Sequence, residues 1–306
     1  MTAVPRSWLY VPGHRPERVA KALTAGADAV VVDLEDAVPE AGKDAAREVA
    51  AATVTARTDA DRATGPQLWV RVNSPATELG RRDVAALAGL PVDGLRVPRA
   101  EEPELVREVA ERTGARLQLL LETARGLTRA GELAAAHDLV VGLGLGEADL
   151  AADLLTDRDE GLRWARGAVV VAARAAGLTA PVQSVWTDVA DTDGLRASSR
   201  TGRATGFFGR SVVHPRQLAV VHEVYTPAAA EVAAARAVLA TAEQAAAHGE
   251  VAVLDADGRF IDPAVVARAR VVLSRVRPQP ADVRPAVVPL PGAEPGAPAT
   301  EPGDSA

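Results

Sequence analysis

Eight short apolar runs, rich in β-branched residues, recur along the chain and are separated by alanine-rich stretches with helical periodicity; this alternation restricts the fold more than any other feature. The runs are Trp8–Val11, Ala29–Asp33, Leu68–Val72, Gly94–Val97, Leu117–Leu121, Leu139–Leu143, Ala180–Val182 and Gly206–Val213. Helix candidates between them include Glu17–Ala25, Lys43–Thr55, Pro103–Arg112 and Trp164–Ala176, the last followed by Gly177 as a stop signal. Repeated strand–helix units imply an α/β fold with a parallel sheet, and eight of them suit a (β/α)8 barrel over residues 1–226, with a doubly wound sheet as the rival. Residues 227–276 read as a helical extension: a helix to about His248, the run Val251–Leu254, an Asp257-Gly258 turn, and a second helix from about Pro263 to Val276. Residues 277–306 hold eight of the 21 prolines without any period and are expected to be a disordered tail.

Composition removes several classes of chemistry. The 306 residues carry 34 Lys plus Arg against 41 Asp plus Glu, a net charge of −7, with 48% apolar residues and no cysteine. Thiolate zinc sites, iron–sulfur clusters, disulfides and cysteine nucleophiles are excluded. An acidic chain with 3% aromatic residues is poorly equipped for nucleic acid. No apolar run has membrane-spanning length and the N-terminal region lacks a signal-peptide core, so a cytoplasmic protein is expected.

In a barrel, chemistry sits at the carboxyl ends of the strands, and here those ends carry acids and arginines. The runs end in Asp33-Leu34-Glu35-Asp36, Arg71-Val72-Asn73, Pro98-Arg99, Glu122-Thr123, Gly146-Glu147-Ala148-Asp149 and His214-Pro215. Any single acid has an ordinary reading as a helix N-cap, but coincidence at several strand ends does not. Glu122 closes its run with no intervening loop. Carboxylates gathered at one rim repel unless a cation lies between them, and oxygen ligands suit a hard ion, so Mg2+ (or Mn2+) on two carboxylates is expected.

Other motifs fail on inspection. Gly142-Leu143-Gly144-Leu145-Gly146-Glu147 has glutamate where a dinucleotide fingerprint needs its third glycine, and Gly42-Lys43 is followed by Asp44 rather than Ser or Thr. The five histidines show no zinc spacing, and His214 reads as a packed or capping residue. Lys21 and Lys43 are the chain's two lysines and both fall in helices after strands, which disfavours Schiff-base chemistry and leaves a metal to stabilise any enolate.

The chain resembles the citrate lyase β-subunit-like group of the HpcH/HpaI aldolase superfamily from Arg6 to about Ala269. The likeness is carried by Arg6-Ser7-Trp8-Leu9-Tyr10-Val11-Pro12-Gly13, Val32-Asp33-Leu34-Glu35-Asp36-Ala37-Val38 with Lys43 and Ala46-Arg47, Val70-Arg71-Val72-Asn73, Leu121-Glu122-Thr123-Ala124-Arg125-Gly126, Gly146-Glu147-Ala148-Asp149-Leu150, Gly206-Phe207-Phe208-Gly209-Arg210, His214-Pro215-Arg216-Gln217 and Asp257-Gly258-Arg259-Phe260-Ile261-Asp262. It implies a barrel of the phosphoenolpyruvate/pyruvate type with a C-terminal helical lid, and Mg2+ on Glu122 and Asp149. By the same resemblance Arg71 binds substrate, Glu35 and Asp36 hold metal-bound waters and substrate, and Tyr10, Arg15 and Lys21 hold coenzyme A. Asp262 would sit on the lid, reaching a neighbouring subunit's site in a homotrimer; its ordinary reading is an N-cap before Pro263.

The implied reaction is cleavage of a 3-hydroxy carboxyacyl-CoA thioester of the citryl-, malyl- or citramalyl-CoA kind to a 2-oxo acid and an acyl-CoA, with Asp262 as base and Arg71 facing the enolate. The same site would serve malate-synthase-type condensation or thioester hydrolysis. A free-acid aldolase and a non-catalytic binding subunit are more distant readings. Arg99 and Arg210 stand where relatives commonly have lysine, and Gln183 and Arg216 where aspartate and serine are usual, which bears on thioester and acid preference.

Overall fold

The computed structural model describes residues 4–276; the proline-rich segment expected to be disordered lies outside the described residues. Seven strands form one parallel sheet: β1 (Ser7–Pro12), β2 (Ala29–Asp33), β3 (Gln67–Arg71), β4 (Gly94–Val97), β5 (Leu117–Leu121), β6 (Val140–Leu145) and β7 (Arg210–Val212). Their order is β6-β5-β4-β3-β2-β1-β7. From β1 to β6 each strand adds beside its predecessor, so the order reversal that defines a doubly wound sheet is absent from this run.

Two of the eight expected strands are shortened. The run Ala180–Val182 gives isolated parallel bridges, Gly144 to Val182 and Gln183 to Arg210, instead of a strand. Pro181 has no N–H to donate to a ladder, and its carbonyl accepts from Phe208 N at 2.9 Å. The run Gly206–Val213 becomes a strand only from Arg210, because Gly206 and Gly209 take φ of 107° and 86°.

The strand period divides the sheet into two faces. One is packed under helices through Leu9, Val30, Val32, Leu68 and Val70. The inner face holds Trp8, Ala29, Val31, Trp69 and Val182, with the two indoles edge-to-face at 5.0 Å. Register partners share a face, and one register row runs Pro12, Asp33, Arg71, Arg96, Gln118, Gly142 across β1 to β6. A polar band therefore lies on the carboxyl side of the tryptophan pair.

After residue 227 the helix Ala229–Ala247 leads to an antiparallel hairpin, β8 (Val253–Leu254) and β9 (Phe260–Ile261), turning at Gly258 with φ 76°. The helix Pro263–Ser274 packs back on the first. No described helix is long and apolar enough to cross a membrane.

Gly94 faces Trp69 so closely that an added Cβ would lie 2.3 Å from the indole. Gly94→Ala should therefore destabilise the protein by about 1–3 kcal/mol through overpacking, read as a lower urea midpoint with an unchanged slope.

Candidate active site

The site is built at the carboxyl ends of β2, β3 and β5 and starts from one ion pair. Arg71, the last residue of β3, donates from Nε and Nη2 to Asp33 Oδ1 and Oδ2, both at 2.7 Å. Asp33 ends the wholly buried strand Ala29–Asp33 and also accepts from the backbone N–H groups of Glu35 and Ala37 at 3.0 and 3.1 Å. One carboxylate thus fixes the arginine and the turn carrying the next two acids. Arg71 Nη1 then reaches Glu35 Oε2 at 2.9 Å and Asp36 Oδ2 at 3.1 Å. Asp36 is 70% exposed, so its hold on Arg71 is the weakest of the three.

The turn is also held from below. Lys43 Nζ donates to the carbonyls of Leu34 and Glu35 and to Asn73 Oδ1, each at 2.8 Å. Asn73 is tied in turn to Asp83, and Asp83 to Arg47 at 2.9 Å. Lys43, at the start of the helix Lys43–Ala56, therefore does reach the strand end, and with three acceptors it acts as a tie.

Glu122 sits just beyond β5, buried, with Oε2 accepting from Arg99 N at 2.9 Å. Burial pushes its carboxyl up to about 7, the Arg99 N–H opposes this, and Asp149 adds repulsion. Asp149 lies in the first turn of the helix Glu147–Asp153, exposed, near enough for its charge to act on Glu122. Glu35 is pushed up to about 8, first by burial; Arg71 pulls it back only in part, its charge being shared with Asp33, and Glu122, Asp36 and Asp33 repel it further. Two buried carboxyls that resist ionising side by side, with an exposed acid beside them, suit a hard cation. Among the described residues no group of three or more His, Cys, Asp or Glu is arranged to hold a metal ion.

The remaining nominated residues divide. Tyr10 belongs to the inner site: its ring lies over Arg71 at 5.1 Å and its hydroxyl accepts from Arg96 Nη1 at 2.7 Å. Arg15 pairs with Glu17 at 2.9 Å on the surface, and Lys21 is exposed on the helix Pro16–Leu23. Asp262 caps the helix Pro263–Ser274, accepting from Val265 N at 2.9 Å, and bonds to none of Arg71, Glu35 or Glu122 within the chain. His214 caps a short turn, accepting from Arg216 N at 3.1 Å.

Two participants were not singled out from sequence. Asp33 was read only as part of a strand end. Arg96, fully buried within β4, donates to Tyr10 and to Ser211 Oγ at 2.9 Å and stacks against Trp8. Its signal was available, since an arginine inside the run Gly94–Val97 has no ordinary core role. Gly146, just past β6, makes the space for Glu122, since a Cβ there would meet Glu122 Cγ at 2.4 Å.

The raised carboxyls imply a pH signature. Folded Glu35 and Glu122 retain protons up to about 8 and 7 that unfolded carboxyls, near 4.5, release, so their contribution favours folding at low pH and is lost as pH rises through that window. With metal removed by EDTA, Glu35→Gln should be more stable than wild type at pH 8 by about 1 kcal/mol or more, with the gap closing toward pH 5 in urea titrations.

Residues 6–215 match the HpcH/HpaI aldolase/citrate lyase family. A (3S)-malyl-CoA thioesterase of Cereibacter sphaeroides is 38% identical over 276 residues, 88% of this chain and 94% of its own length. The citrate lyase subunit beta of Leuconostoc mesenteroides subsp. cremoris is 32% identical over 283 residues, 88% of this chain and 92% of its own. The structure of CitE from Mycobacterium tuberculosis in complex with magnesium, acetoacetate and coenzyme A aligns with a TM-score of 0.74 at 36% identity, covering 90% of this chain and 99% of that one. On this likeness, carried along nearly the whole of each relative, the chain belongs to the HpcH/HpaI aldolase/citrate lyase family.

Proposed function

We propose that the protein is a Mg2+-dependent carbon–carbon lyase that cleaves a 3-hydroxy carboxyacyl-CoA thioester of the citryl-, malyl- or citramalyl-CoA type to a 2-oxo acid and an acyl-CoA. The observation that carries this reading is Arg71 held on Asp33 with Nη1 turned toward Glu35 and the exposed Asp36, in a site that also contains the buried Glu122. In this reading the segment at Val182 and Gln183 completes a (β/α)8 barrel between β6 and β7, residues 227–276 form a lid, and the protein is a cytoplasmic homotrimer.

Glu122 and Asp149 would hold Mg2+, or Mn2+, which when bound supplies a Lewis acid for the substrate's hydroxyl and carboxylate oxygens. Asp33 orients Arg71, so the guanidinium needs no rearrangement when negative charge develops on the thioester enolate. A substrate carboxylate can exchange for Asp36 on Nη1 without breaking the pair to Asp33. Glu35, held up at about 8, can donate a hydrogen bond near neutral pH. Asp262 would remove the hydroxyl proton; its Oδ1 is used in the cap and Oδ2 makes no bond among the described residues, and the proton acceptor would come from a neighbouring subunit's lid. Tyr10, beside Arg71, would lie at the acyl end, with Arg15, paired to Glu17, and Lys21 exposed on the surface nearby in sequence to meet the nucleotide. The 38% identity to a malyl-CoA thioesterase favours thioester hydrolysis as the second reading.

The deciding experiment offers citryl-, malyl- and citramalyl-CoA to the protein with Mg2+ and with EDTA. Metal-dependent 2-oxo acid release, abolished in Glu122→Ala, is expected; free coenzyme A without a 2-oxo acid would establish hydrolysis, and no turnover of any thioester would overturn both readings. Arg71→Met should lower turnover by about 10²–10³ as measured under saturating substrate.

A further inference from the structure

Among the described residues only two other than glycine hold a left-handed backbone, Arg99 with φ 47° and Leu155 with φ 53°. A long side chain adopts that region only where its surroundings impose it. Around Arg99 they do: Ala100 N donates to Leu120 O at 3.1 Å, and Thr123 Oγ1 donates to Glu101 Oε1 at 2.9 Å, strapping the segment after β4 to the end of β5 at two points. Immediately before these straps the Arg99 N–H donates to Glu122 Oε2 at 2.9 Å. On the other side Gly146 leaves room for the same carboxylate, since a Cβ there would stand 2.5 Å from Oε1. The Arg99 side chain is exposed and makes no hydrogen bond or ion pair among the described residues, so the contact with Glu122 is made by backbone alone.

We propose that Arg99 is a positioning residue whose strained backbone aims its N–H at Oε2 of Glu122, fixing the carboxylate's rotation and leaving Oε1 for the cation shared with Asp149. This rests on the metal reading given above. Any residue but proline supplies an N–H at position 99, but only residues that tolerate a left-handed conformation supply it at this angle. Tolerance, not charge, should then rank the variants.

The test measures Mn2+ affinity of the substrate-free protein by calorimetry for Arg99→Gly, Arg99→Asn, Arg99→Ala, Arg99→Val and Arg99→Lys, with each melting temperature taken as a folding control. Arg99→Gly and Arg99→Asn should bind Mn2+ at least as tightly as wild type, and Arg99→Val about tenfold more weakly while still folded. Retention only in Arg99→Lys would assign the effect to the side-chain charge and overturn the proposal, as would equal affinity across the series. Glu122→Gln separates the two levels: if wild type binds Mn2+ and this variant does not, a flat Arg99 series sinks the positioning role alone. If Glu122→Gln binds as well as wild type, the metal reading and the positioning role fall together. In metal-free protein with [15N]arginine, the Arg99 amide proton should move upfield in Glu122→Ala, which removes the acceptor, and an unmoved resonance would overturn the contact itself.

Discussion

Gathering carboxylates at one end of a parallel sheet costs Coulomb energy that grows as water is excluded, and the bidentate pair between Asp33 and Arg71 is where that cost is contained. Both partners are strand-terminal and adjacent in register, so the backbone places them before any side chain adjusts. The acids of the turn after β2 and the ring of Tyr10 are arranged around this pair. Glu35 and Asp36 take what remains of the guanidinium, Asp33 holds the turn that carries them, and the Tyr10 ring lies 5.1 and 5.3 Å from the guanidiniums of Arg71 and Arg96, which are register partners of like charge. Glu122 lies outside this circuit, and the imbalance it leaves is of the kind a divalent ion corrects.

A polar interior needs volume as well as charge balance, and β6 provides it. Gly142 and Gly144 alternate along the strand and Gly146 follows its end: a Cβ at Gly146 would collide with Glu122 Cγ at 2.4 Å, while Cβ atoms at Gly142 and Gly144 would come into contact with Gln118 at 3.6 Å and Arg96 at 3.7 Å. The same residues superficially match a nucleotide loop. Their spacing of two instead reflects the pleat of a strand whose neighbours project long side chains across it.

Much of this was legible in the sequence. The strand–helix period located the sheet, and the rule that strand ends carry chemistry brought out Glu35, Asp36, Arg71, Glu122 and Asp149. What escaped is of two physical kinds. Boundaries were set by backbone effects that apolarity does not encode, as where Pro181 limits the seventh run to bridges and the positive φ at Gly206 and Gly209 delays the eighth. Residues that act through other residues escape, because Asp33 and Arg96, and the tie made by Lys43, gain their meaning from partners 38, 86 and 30 positions away in Arg71, Tyr10 and Asn73. Asp262 did not escape: the cap expected before Pro263 is formed, its carboxylate accepting from Val265 N.

Arginine supplies nearly all the positive charge of this chain, and of its two lysines one is buried with three acceptors around its ammonium. Amines are the groups that thioesters acylate spontaneously, whereas guanidinium groups stay protonated and inert. A protein in this family therefore presents, among its described side chains, a single exposed ε-amine at Lys21 to whatever activated acyl groups surround it. Its surface charge is carried in a form that such chemistry does not erode.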